Sequence, residues 1–206
     1  EAKVFSYDKE YNAHNFGYKG KPFNWVTMPD QYVLSALQHK ERERSNRAPI
    51  MAEVALVSSH APWTPVASLV PWSEIGDGAI FNAQAQSGPT PEEVWRDLSS
   101  IRYHYRQTIE YMLTSMVSFV TEFGDDNVVV LLLGDHPPAP MISGDPGTDQ
   151  VIAHLIASDP KVIDAISSWE WQKGMLPNGN APVWRMDDLR DRFIKDFSQE
   201  TTKAIE

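Results

Sequence analysis

The sequence predicts an α/β domain built on a largely parallel sheet flanked by helices. Three observations predict it. Short apolar segments alternate with helix-patterned ones along the chain, the order that builds a parallel sheet. Val128 to Leu133 is an unbroken run of six apolar residues, the composition of a strand covered on both faces. Upstream of that run lies a long stretch whose apolar residues recur every three or four positions, which is the period of a helix.

The elements follow in order. Residues 1–30 are aromatic and irregular, with Tyr18, Phe23 and Trp25 among Gly17, Gly20 and Pro22. They read as a loop-like lead-in that packs on a domain spanning 31–206. Pro29-Asp30 opens a helix of about three turns. Lys40 to Arg47 is a connector of mixed charge, in which acidic residues interrupt the basic ones and argue against a nucleic-acid role. Ile50 to Val57 is short and mostly apolar, and is predicted as a buried strand.

Residues 61–91 hold five prolines together with Trp63 and Trp72. This is a long structured loop, of the kind that is usually functional or mobile. Thr90, Pro91 and Glu93 form a start signal for a long helix running to Phe123. Val151 to Ala157 is predicted as a third strand, Pro160 to Trp169 as a short helix, and Asp187 to Phe197 as a closing amphipathic helix.

Bulk composition narrows the function. The 206 residues carry a net charge of -10, so a nucleic acid is excluded as a partner and an anionic substrate needs a local attractor such as a metal ion. There are no cysteines, which excludes disulfides, thiolate zinc sites and a cysteine nucleophile. No run approaches the roughly 20 apolar residues needed to span a bilayer.

Ligands of open α/β sheets gather beyond the carboxyl ends of the strands. Two predicted strands end there in unusual polar residues, Ser58-Ser59-His60 and Gly134-Asp135-His136-Pro137-Pro138. Asp135 offers a hard anionic oxygen and His136 a neutral nitrogen, a mixture suited to zinc or manganese, with calcium or magnesium left open. Gly134 lets the backbone leave the strand sharply, and the two prolines stiffen its exit. On the dipeptide alone, a turn-capping Asp beside a half-buried His is the better explanation. The surrounding order of elements changes that balance.

That order resembles the C-terminal part of the sulfatase/alkaline-phosphatase superfamily, in its bacterial membrane-anchored, lipoteichoic-acid-synthase-like branch. The matching residues are Val54 to Trp63 and Val128 to His136, with the helix from Tyr103 to Phe123 between them. The resemblance covers roughly residues 25–160. It implies an alkaline-phosphatase-like sheet, Asp135 and His136 as ligands of a divalent metal, and His60 as a catalytic and substrate-binding residue. In that role His60 contacts the sulfate or phosphate group or protonates the leaving oxygen. The activity implied is hydrolysis or transfer of sulfate or phosphate esters.

The family's nucleophile, a Thr, Ser or formylglycine after an earlier strand, has no counterpart here. Ser6 and Thr27 lack the strand and the acidic partner. The expectation is therefore a partial domain, the C-terminal half of an active site. Its protein is expected outside the cytoplasmic membrane, held there by a segment absent from this chain. The alternative is a catalytically incomplete extracytoplasmic module that keeps the fold and binds a partner or an envelope glycan.

The remaining candidates have plainer readings. His154 reads as a satisfied core histidine, and His14, His39 and His104 lack a carboxylate at metal spacing. Trp169, Trp171 and Trp184 read as glue between the last helix and the sheet. Arg185, Arg190 and Arg192 alternate with Asp187, Asp188 and Asp191 and read as local salt bridges. Asp145 and Asp149 read as turn residues.

Overall fold

The computed structural model describes residues 5–125, 127–144 and 149–198. The chain divides into two compact units, Glu1–Phe123 and Gly124–Glu206. Asp145 lies outside the described residues.

The first unit is helical. Its elements are α1 (Asp30–Leu37), α2 (Asn82–Ala85), α3 (Pro91–Val94) and α4 (Leu98–Phe123). A π-helical turn, Gln38–Arg42, prolongs α1. α4 has 26 residues and buries Ile101, Thr108, Tyr111, Met116 and Phe119 on one stripe, and α1 packs against it. The long helix expected from Thr90 onward is broken in two. Thr90 and Glu93 close a full capping box on α3, but Asp97 then starts a second helix by accepting from the Ser100 backbone N–H at 2.9 Å. An Asp three residues before a free helical N–H is a strong restart signal.

Phe23, Val26, Tyr32, Ala67, Phe81 and Tyr111 belong to the core of this unit, with Phe16 and Tyr18 packed against it. One buried polar side chain at its centre is paired at both ends of its amide. Gln31 is fully buried, and its amide donates to the Val70 carbonyl at 2.7 Å while accepting from the Val70 N–H at 3.0 Å. This pair pins the proline-rich segment to α1. Further along that segment, the Trp72 indole donates to Ser118 at 2.9 Å, and Thr64 donates to the Pro89 carbonyl at 2.7 Å.

The second unit holds β1 (Val129–Leu133), α5 (Pro140–Ser143), β2 (Ala153–Ala157), α6 (Pro160–Ala165) and α7 (Met186–Phe197). Trp169 is 1% exposed and centres a cluster with Ile166 and Leu189, against which Leu131, Leu155, Trp171 and Trp184 pack. The indoles thus join α7 to the strands. Burying the Trp169 N–H requires a partner, and Asp196 of α7 accepts it at 2.6 Å.

The largely parallel sheet is not observed. Among the described residues there are seven α-helices and one two-stranded sheet. β1 and β2 run antiparallel, in a register from Val129 opposite Ala157 to Leu133 opposite Ala153. A parallel pair needs a crossover, usually a helix of a dozen residues or more. Among its described residues the 134–152 connection holds the four-residue helix α5, and β2 returns antiparallel to β1. Ile50 to Val57 forms no strand. An apolar run of a few residues does not reveal its partners, and β1 is only half covered, with Val129 43% exposed. Among the described residues no helix is long and apolar enough to cross a membrane.

Candidate functional site

His60 stands in the first unit on a turn closed by its own N–H, which donates to the Val57 carbonyl at 3.0 Å. Its ring stacks on Trp25 with centroids 3.9 Å apart and planes 22° from parallel. Trp25 is presented by a tight turn that the Phe23–Val26 bridge closes. His60 Nδ1 lies 2.9 Å from the Ala61 carbonyl. A carbonyl only accepts, so Nδ1 carries the hydrogen and Nε2 keeps a free lone pair.

The turn is tied down on both sides. The Trp63 indole donates to the Ser59 carbonyl at 2.8 Å. Trp63 in turn stacks on Trp95 with planes 4° from parallel, and the Trp95 indole donates to the Pro62 carbonyl at 3.1 Å. Below the turn, Asp30 and Ser58 exchange two hydrogen bonds. The Asp30 N–H donates to Ser58 Oγ at 3.2 Å, and the Ser58 N–H donates to Asp30 Oδ1 at 3.0 Å. Asp30 is completely buried. Burial pushes its carboxyl up to about 6, against the pull of hydrogen bonds from Ser58 and Val57.

Little in the sequence points to this pair. One signal was available: Pro29 is the N-cap of α1 and supplies no capping side chain, so the first helical N–H groups had to be met from elsewhere. Ser58 meets one, and the Tyr111 hydroxyl meets that of Gln31 at 3.3 Å.

Asp135 and His136 stand in the second unit, immediately after β1. The His136 N–H donates to Asp135 Oδ1 at 3.0 Å. His136 Nδ1 lies 2.9 Å from the Pro137 carbonyl, so here too Nδ1 carries the hydrogen and Nε2 is open. Nε2 and Asp135 Oδ2 are 3.7 Å apart, and the two side chains are 73% and 90% exposed. Two ligands held about 2.1 Å from one ion lie roughly 3.0–3.4 Å apart at tetrahedral or octahedral angles. The observed gap exceeds that span by roughly 0.3 Å at its near end, which a small torsion of an exposed carboxylate closes. The donor set therefore fits two positions of a divalent-metal site. Among the described residues no cluster of three or more metal-ligating side chains occurs.

Gly134 acts differently from the expectation. A Cβ there would meet Val151 at 3.3 Å, so the residue permits close approach of the two chain segments rather than an unusual backbone angle. His154 donates from Nε2 to the Met175 carbonyl at 2.8 Å and is satisfied. Asp149 is exposed. Arg185 pairs with Asp187 at 2.9 Å and Arg190 with Asp191 at 2.7 Å, local bridges as the alternating charges predict.

A cleft of about 500 Å³ in the first unit is lined by His104, Gln107, Glu110, Tyr111 and Thr114 of α4, by Thr64 and residues 66–69, and by residues 87–89. His104 Nδ1 is buried without a partner, and burial lowers the pKa of its ring. Sequence reasoning passed over His104 because no carboxylate stood at metal spacing.

No protein-family model matches the chain, and neither a curated protein nor a solved structure matches it.

Proposed function

We propose that this chain takes part in metal-dependent hydrolysis or transfer of sulfate or phosphate esters, with Asp135 and His136 as two of the metal's ligands. The observation that carries the reading is the state of His136. Its Nδ1–H is spent on the Pro137 carbonyl, and its free Nε2 stands 3.7 Å from the free oxygen of Asp135. Metal-ligating histidines are oriented in this way, by a backbone carbonyl on the ring nitrogen opposite the metal. The metal, when bound, supplies Lewis acidity toward an ester oxygen. His60 is assigned to the anion, as acceptor or proton carrier at Nε2. The resemblance of Val54 to Trp63 and Val128 to His136 to the sulfatase/alkaline-phosphatase superfamily supports the same chemistry, and with it an extracytoplasmic location.

Calorimetric titration with Mn2+ and Zn2+ tests the ligand assignment. The parent chain is expected to bind, and Asp135→Ala and His136→Ala are each expected to lose about tenfold or more in affinity. Equal affinity in all three proteins overturns the assignment.

Binding without turnover is the second reading. It is favoured by Trp25, a residue 58% exposed beside the imidazole that stacks on its ring, because an exposed flat ring with a polar neighbour suits a sugar. Saturable binding of an envelope glycan that Trp25→Ala abolishes, with no metal binding, would favour this reading over the first.

A further inference from the structure

The Asp30–Ser58 pair is a capping box built across 28 positions of sequence. In a local capping box one residue's side chain meets another's backbone N–H, and the favour is returned. Here the start of α1 and the foot of the His60 turn do this for each other. What is unusual is the choice of acceptor. A neutral side chain would hold the Ser58 N–H without placing a charge in the interior, where burial disfavours the ionised form. Asp30 is instead a carboxylate with no exposed surface, and its second oxygen, Oδ2, has no hydrogen-bond partner. Groups kept in so costly a form gather at functional sites.

We propose that Asp30 is a positioning residue for His60: its carboxylate holds the 57–60 turn through Ser58, and protonation of Asp30 loosens that hold. The proposal rests on the reading of His60 as a site residue. The path is short and fully bonded. Asp30 Oδ1 fixes the Ser58 N–H at 3.0 Å. Ser59, next in sequence, is fixed by the Trp63 indole at 2.8 Å, and His60 closes the turn back to Val57 at 3.0 Å. With the turn in place the imidazole lies against Trp25, and its Nδ1–H reaches the Ala61 carbonyl at 2.9 Å. That contact selects the tautomer with Nε2 free. A hydrogen bond to an ionised acceptor is roughly twice as strong as one to a neutral acceptor, so the grip on Ser58 weakens as Asp30 takes up a proton.

Asp30 makes that change near pH 6, because burial raises its carboxyl to about that value. The titratable group that faces it from α4 is Tyr111, whose hydroxyl burial drives upward, so it stays neutral throughout. From the turn the facing groups are Ser58 and Val57, which do not titrate. His60, two residues beyond Ser58, is itself titratable and must be followed separately.

The test is long-range 1H–15N NMR of the histidine side chains in the full chain, with His60 assigned through His60→Gln. In the parent above pH 7, His60 is expected as the Nδ1–H tautomer. In Asp30→Ala it is expected to revert to the mixture of a free imidazole, in which Nε2–H dominates. The Trp72 indole N–H, which donates to Ser118 in the same unit, should keep its shift, which reports that the first unit is folded. Asp30→Asn keeps an acceptor for the Ser58 N–H. It is expected to keep the tautomer but to lose the inflection near pH 6 in the Ser58 amide shift.

A folded Asp30→Ala with an unchanged His60 tautomer overturns the proposal. If Asp30→Ala does not fold, the asparagine variant decides: an inflection at Ser58 that survives in it overturns the proposal. Failure of the parent reading is read elsewhere. Titrating inorganic phosphate and sulfate into the parent should shift the His60 signals. No shift would remove His60 from the anion site while leaving its positioning by Asp30 intact.

Discussion

The two histidine turns make the same contact by opposite means. His60 and His136 each give Nδ1–H to the next residue's carbonyl at 2.9 Å, and each keeps Nε2 open. His60 achieves this on a turn anchored by a buried carboxylate, a stacked indole and an indole hydrogen bond. His136 achieves it at the end of a two-stranded sheet, with its hydrogen bonds made to its neighbours Asp135 and Pro137. The difference teaches that one imidazole is positioned by the fold before any ligand arrives. The other is aimed by local backbone alone.

The contrast can be broken at several points. The largest effect falls on the second unit, where the strand end that carries Asp135 depends on the tryptophan cluster. Trp169→Ala removes a side chain 1% exposed and strands Asp196. It is expected to cost about 3–5 kcal/mol, read as a lost or lowered urea transition in the fluorescence of this cluster.

In the first unit the strongest lever is the charge of Asp30. Its folded-state carboxyl is raised to about 6 from 3.8, so the folded chain holds this proton more tightly than the unfolded one. The stability linked to it is fully present below about pH 4 and is lost as pH rises through about 6, amounting to roughly 3 kcal/mol. The difference in urea stability between Asp30→Asn and the parent is expected to grow in the variant's favour across that window and then level off. A difference that stays flat from pH 4 to 8 contradicts the raised pKa.

Smaller effects sharpen the comparison. A double-mutant cycle with Trp25→Ala and His60→Ala is expected to return a coupling of about 0.5–1.5 kcal/mol, the range for stacked rings. A coupling of zero would leave His60 no better held than His136. Smallest of all, Gly134→Ala brings a methyl group to 3.3 Å from Val151. It is expected to lower stability by less than about 1 kcal/mol, with the strand register of β1 preserved in the amide exchange pattern.

What the sequence disclosed follows the range of each interaction. α4 was legible because its buried residues recur at helical spacing, and Thr90 with Glu93 because a capping box spans four residues. The tryptophans of the second unit were legible as packing groups because indoles have few other uses in a helix-and-strand interior. The sheet was misread. Val128 to Leu133 shows that a strand forms, yet the direction of its partner is set by the connection, and α5 is too short to carry the chain across. Asp30 and Ser58 lie 28 positions apart, and no local pattern ties two such residues. That Asp135 and His136 stand exposed is set by the packing around the end of β1, which no local pattern discloses.

Zn2+ titrated into the full chain and followed at the histidine side-chain nitrogens tests the metal assignment most directly. His136 Nε2 is expected to move to a metal-bound shift while Nδ1 keeps its hydrogen, Asp135→Ala to weaken the change, and His154 to stay silent. A His136 spectrum indifferent to Zn2+, or coordination through Nδ1, contradicts it.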